Sequence, residues 1–102
     1  MARKVKITVV KRDIYKDLVE KYGADKNIAM CDLFQDGQEF VLSEINKPEG
    51  FCAWAWADIQ RDVVGVFFGA SYPWINKENM ILSCCTDGFR PVTFKIEAFD
   101  ED

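Results

Sequence analysis

Apolar and polar residues alternate near the start of the chain, where Val5, Ile7 and Val9 are interleaved with Lys4, Lys6 and Thr8. A period of two predicts a strand with one buried and one wet face. Asp13 then supplies a helix N-cap, and Tyr15, Leu18, Val19 and Tyr22 recur at helical spacing up to Gly23, a residue type suited to the position beyond a helix end. The pattern predicts a helix of about ten residues. Residues 24–32 have no period and are expected to form a connection that tucks Ile28 and Met30 inward. In the segment LFQDGQEFVL, Asp36-Gly37 separates two apolar runs, which is the pattern of a tight hairpin, and Lys47-Pro48-Glu49-Gly50 reads as a turn.

The stretch 51–69 shows no alternation. Instead Cys52, Trp56, Ile59, Val63, Val66, Phe67 and Ala70 fall on one stripe at 3.6-residue spacing, predicting a central helix between Gly50 and Gly69. Its valines lower intrinsic helix propensity, so packing must hold it. Residues 71–78 read as a loop carrying Pro73 and Trp74. Two strands follow, 80–85 and 91–99, joined by Thr86-Asp87-Gly88-Phe89 as a second turn of the Asp-Gly kind. Assembled, these elements predict a single α+β domain over residues 1–102. Their order is β-α-β-β-α-β-β, with a mainly antiparallel curved sheet packed on the central helix.

A chain of 102 residues supports one core, and 49% hydrophobic with 29% charged residues excludes disordered and fibrous classes. The 14% aromatic content is rich for this length and leaves surface for a partner. A net charge of −4 and a pI near 4.8 argue against a nucleic-acid binder. Charge is uneven: Arg3, Lys4, Lys6, Lys11 and Arg12 open the chain and Asp100, Glu101 and Asp102 close it, so the two ends are expected to complement each other or be solvated. Lysines interrupt the first apolar run before it reaches signal-peptide length, and the uncharged stretch 63–76 is too short to span a bilayer. A cytoplasmic protein with no membrane partner is the expectation, and in that compartment four cysteines are expected as reduced thiols.

The segments FCAWAWADI at 51–59 and CCTDGFRPVTFKIE at 84–97, with FQDGQEF at 34–40 and the opening KVKITVVKR, resemble a family of short bacterial and archaeal proteins without an assigned activity. Members often carry a proline after the cysteine equivalent to Cys31, where this chain has Asp32. The resemblance covers most of the chain and implies a stand-alone small prokaryotic domain.

Two groups of residues carry candidate chemistry. On the face of the central helix opposite the apolar stripe, Trp54, Asp58, Arg61 and Gly65 stand at i, i+4, i+7 and i+11. They read either as a floor on which a flat ligand stacks, or as structure: an Asp58–Arg61 ion pair, a core Trp54, and a Gly65 that admits a crossing strand. In the Asp87-Gly88-Phe89-Arg90-Pro91 turn, the hairpin accounts for Asp-Gly but not for Arg90. That residue reads either as a bidentate partner for a carboxylate or phosphate, or as an internal salt bridge to Asp58, Asp62 or Asp87.

Cysteines 31, 52, 84 and 85 lack the C-x2-C clip of zinc ribbons, and no histidine is present, so neither a metal site nor a cofactor is expected. Cys52 in the first helical turn and Cys84 or Cys85 beside Arg90 are candidate reactive thiols, with inert packing as the alternative. The leading expectation is a binding or accessory module for a small anionic or aromatic ligand, acting as a homo-oligomer. Its ligand-binding candidates are Trp54, Asp58, Arg61, Asp87 and Arg90. The alternatives are a thiol- or carboxylate-dependent enzyme using Cys52, Asp58 and Cys84, and a structural subunit of a larger complex.

Overall fold

The computed structural model describes residues 2–101 and is α+β, in the order β-α-β-α-β-β. Strand β1 (Ala2–Arg12) is central because Val5, Ile7 and Val9 are all fully buried on one of its faces. It pairs antiparallel with β2 (Glu39–Leu42) on one side and with β4 (Val92–Glu101) on the other; β3 (Met80–Cys84) then pairs with β4, giving the sheet order β2-β1-β4-β3. Helix α2 (Ala53–Phe67) lies across β1, β4 and β3 on the apolar face. Its buried side chains Ala55, Ile59, Val63 and Val66 meet Val5, Ile7, Phe94 and Ile96 of the sheet. Each large aliphatic or aromatic side chain so buried contributes roughly 1.5–3 kcal/mol.

Four phenylalanines close the end of the core near the start of α2. The Phe34 ring meets Phe40, Phe51 and Phe94 at centroid distances of 6.1, 5.0 and 5.2 Å, the first and last nearly edge to face. At the opposite end, Arg3 donates from Nε to the Phe67 carbonyl (3.1 Å) and from Nη2 to that of Val66 (3.2 Å), which also accepts the Gly69 N–H (3.0 Å), so the guanidinium caps the helix C-terminus. The same guanidinium lies 3.5 Å from Asp100, with which Arg3 is in register across β1 and β4. The basic opening and the acidic close, as far as Glu101, therefore lie on neighbouring strands, where Arg3 and Asp100 complement each other; Asp102 lies outside the described residues.

Three predicted features take a different form. The hairpin around Asp36-Gly37 has only its second strand: residues 33–36 do not pair, and the turn Gln35–Gln38 closes on a 3.1 Å hydrogen bond with Gly37 at φ +82°. The competing force is Arg12, which donates to the carbonyls of Cys31 (2.9 Å) and Phe34 (3.1 Å) and to Asp36 (2.9 Å). It draws the segment off the sheet edge and lets Phe34 turn into the core.

Helix α1 (Lys16–Tyr22) is shorter than its pattern, and Asp13 does not cap it; the Asp13 carboxylate accepts the Ile14 N–H instead. The N–H groups of Asp13 and Tyr15 go to the carbonyls of Pro91 and Phe89, so the chain stays extended for a few residues before it coils. Gly23 is extended (φ −73°) rather than left-handed; a Cβ there would lie 2.6 Å from the Val19 carbonyl oxygen. The third difference is the connection from β3 to β4. Gly88 does not adopt a positive φ, and the bend is made by the Asp87 side chain, whose Oδ1 accepts the N–H groups of Phe89 (3.0 Å) and Arg90 (3.2 Å).

Candidate functional site

Helical spacing puts Trp54 and Asp58 on one face of α2, and the 85–91 loop crosses that face. Thr86 makes the connection. Its backbone N–H donates to Asp58 Oδ2 (2.8 Å), its hydroxyl lies 3.0–3.1 Å from both carboxylate oxygens, and the same hydroxyl accepts the indole N–H of Trp54 (3.2 Å). Trp54 is held by its nitrogen while 65% of the residue stays exposed, so it is not a core tryptophan. Thr86 was not among the residues singled out from sequence. Its only local signal is a hydroxyl residue directly after a strand.

Arg61 does not join this group. Its side chain is 88% exposed and its nearest carboxylate is Asp62, 3.8 Å away, while the predicted Asp58–Arg61 pair is pre-empted by Thr86. Gly65 admits no strand; a Cβ there would come within 2.7 Å of the Tyr72 hydroxyl, so its bareness lets the chain after α2 fold back.

Arg90 and Asp87 are brought together with Trp54. Arg90 Nε donates to Asp87 Oδ2 at 3.2 Å, and its terminal nitrogens have no partner among the described residues. Partial burial pushes the Asp87 carboxyl upward, but the N–H groups of Phe89 and Arg90 and the Arg90 guanidinium outweigh it, so its pKa lies below the ordinary value. The carboxylate therefore stays charged, fixing the bend of the loop and the direction of Arg90.

These residues form one wall of an open cleft of about 980 Å³. The facing wall comes from Leu18 and Tyr22 of α1 and from Ile28 and Met30 of the following connection. Ile28 and Met30 are thus not tucked into the core: Met30 is 40% exposed and both border the cleft.

Behind Trp54, Asp87 and Arg90, which line both spaces, lies a smaller cavity of about 90 Å³. Cys31, Cys52 and Cys85 all line it. Cys84 is exposed and lines neither space, because adjacent strand residues point to opposite faces. All four are free thiols, and among the described residues no three His, Cys, Asp or Glu side chains are placed to hold a metal ion. Asp58, the expected partner of Cys52 in a thiol mechanism, lines neither space, and its carboxylate is engaged by Thr86. Among the described residues no helix is long and apolar enough to cross a membrane.

No family model matches the chain, and neither does any curated protein or solved structure.

Proposed function

We propose that this chain is a small binding module whose cleft takes a flat aromatic ligand bearing a carboxylate or phosphate. The observation that carries the reading is the placement of Trp54 and Arg90 on one wall of a single cleft, the indole exposed and the guanidinium with unpartnered terminal nitrogens. An exposed tryptophan face offers stacking, and a guanidinium offers two parallel donors to a planar anion. The volume is at the upper end of the range for small-molecule sites, and the lining combines apolar side chains with a few fixed polar groups. An enzyme pairing Cys52 or Cys84 with Asp58 is the weaker reading, since Asp58 is engaged by Thr86 and borders neither space.

The four free thiols support a location in the cytosol. Val41 and Leu82, exposed on the two edge strands, support self-association into a homo-oligomer, which sedimentation velocity tests directly. For the ligand, a thermal-shift panel of aromatic carboxylates and nucleoside monophosphates should yield a binder, with affinity confirmed by calorimetry. Arg90→Ala is expected to weaken it by at least about tenfold while the fold survives, a charged hydrogen bond being worth roughly 1.5–3 kcal/mol. Unchanged affinity in the folded variant overturns the reading.

A further inference from the structure

The charges around the cleft call for more than an anion. Its lining carries one cation, Arg90, and three carboxylates, Asp25, Asp32 and Asp87. Asp87 is engaged by Arg90 Nε and by the N–H groups of its own loop, which leaves Asp25 and Asp32, on the connection between α1 and β2, without a cation. A ligand carrying only a carboxylate or phosphate would meet one opposite charge and two like charges in the same space. A ligand that also carries an ammonium turns the like charges into partners.

The two remaining carboxylates are not equivalent. Asp25 Oδ1 accepts the N–H of Asn27 at 2.9 Å and so fixes its own turn. Asp32 is exposed, and the three hydrogen bonds by which Arg12 holds this segment go past it to Cys31, Phe34 and Asp36. Its chain neighbours Cys31 and Leu33 line the inner cavity together with Trp54 and Arg90, so the segment abuts the wall that carries the indole and the guanidinium. Asp32 itself borders the outer cleft, which places a carboxylate, an exposed indole and the terminal nitrogens of Arg90 around one space. The indole adds to this an attraction for an ammonium over its face.

We infer, resting on the cleft reading, that the ligand is a free aromatic α-amino acid, with its ring against Trp54, its carboxylate on the terminal nitrogens of Arg90 and its ammonium toward Asp32. Both charges sit on one carbon of such a ligand, so Arg90 and Asp32 act on the same end of it. The ring is left to Trp54 and to the apolar side chains of Leu18, Tyr22 and Met30 across the cleft. The charge pattern selects against two other aromatic classes. A nucleoside monophosphate brings a dianion and no ammonium, and an aromatic residue inside a peptide has neither terminal charge.

Calorimetry with matched probes isolates the ammonium. Tryptophan is compared with indole-3-propionate and phenylalanine with 3-phenylpropionate, each pair sharing ring and carboxylate and differing in the amine. In at least one pair the amino acid is expected to bind about fivefold tighter, the upper range for an ion pair in contact with water, and the gap should narrow at high salt. Asp32→Asn, checked for folding by circular dichroism, is expected to bring the amino acid to the level of its deaminated counterpart without weakening the latter. Deaminated probes that bind as tightly as the amino acids, or a gap that persists in folded Asp32→Asn, overturn the inference and leave the cleft reading standing. So does the failure of all four probes while a nucleoside monophosphate or another aromatic carboxylate binds. If no compound of either kind binds, both fall together.

Discussion

The two ends of α2 are built from similar residue types and behave in opposite ways. At the C-terminal end, Arg3 turns its guanidinium onto two backbone carbonyls and lies beside Asp100, so the cation is engaged by the fold. At the N-terminal end, Arg90 gives only its Nε to Asp87 and keeps its terminal nitrogens, while an indole stands exposed beside it and three thiols sit behind. The difference teaches where to look for function in a chain whose composition is unremarkable. It lies where polar groups are held in place by part of their bonding capacity and keep the remainder.

The comparison breaks most forcefully at Phe34, the ring that floors the open end. Phe34→Ala should cost about 3–5 kcal/mol in urea unfolding, as buried aromatic truncations do. A loss of less than 1 kcal/mol would mean that the 31–36 segment is not part of the core. Arg3→Ala should cost about 1 kcal/mol through the Phe67 carbonyl left without its donor, with hydrogen exchange of the 85–91 loop amides unchanged. Altered exchange in that loop would show that the two ends are not independent.

Asp58→Ala removes the anchor of Thr86 and is expected to cost roughly 1 kcal/mol. It should also loosen Trp54, read as greater quenching of tryptophan fluorescence. Smaller still is the effect of pH. Burial raises the Glu97 carboxyl, but Lys77 and Lys95 outweigh it, so Glu97, like Asp87, titrates below its ordinary value. A depressed carboxylate contributes stability that is fully present above its unfolded pKa and is lost as pH falls through the folded one. Stability should therefore decline as pH drops below the ordinary values of 4.5 and 3.8. Asp87→Asn should remove the open-end part of that slope and Glu97→Gln the part from the solvent face of the sheet. Trp54→Ala should leave stability within about 0.5 kcal/mol, because an exposed ring carries little of the core.

Much of the architecture was legible in the sequence because its signals are periodic and local. The alternation in β1 and β4 and the 3.6-residue stripe of α2 each repeat over several residues, and the structure has all three. The charged ends were legible too, since Arg3 and Asp100 are complementary in sign. What escaped depends on contacts between distant residues. Arg12 reaches across 19 positions to the Cys31 carbonyl, so no pattern within LFQDGQEFVL reveals that its first half leaves the sheet. Thr86 matters only because it meets Asp58 and Trp54 from 28 and 32 positions away. Arg61 was grouped with them because helical spacing reports which residues share a face, and not which of them find a neighbour across it. In the Asp87–Arg90 turn, glycine was credited with a bend that a carboxylate makes.

One guanidinium, that of Arg12, fastens the 31–36 segment to the sheet by three hydrogen bonds. Cys31 and Phe34 line the inner cavity, and Met30, on the adjoining stretch, borders the cleft. Detachment of this strap would open both spaces without unfolding the sheet, as a cooperative local unit with its own free energy. In hydrogen exchange, Arg12→Ala should then release the amides of this segment while those of β1 and β4 remain protected. The accessibility of the inner thiols is thus set by a residue that lines neither space.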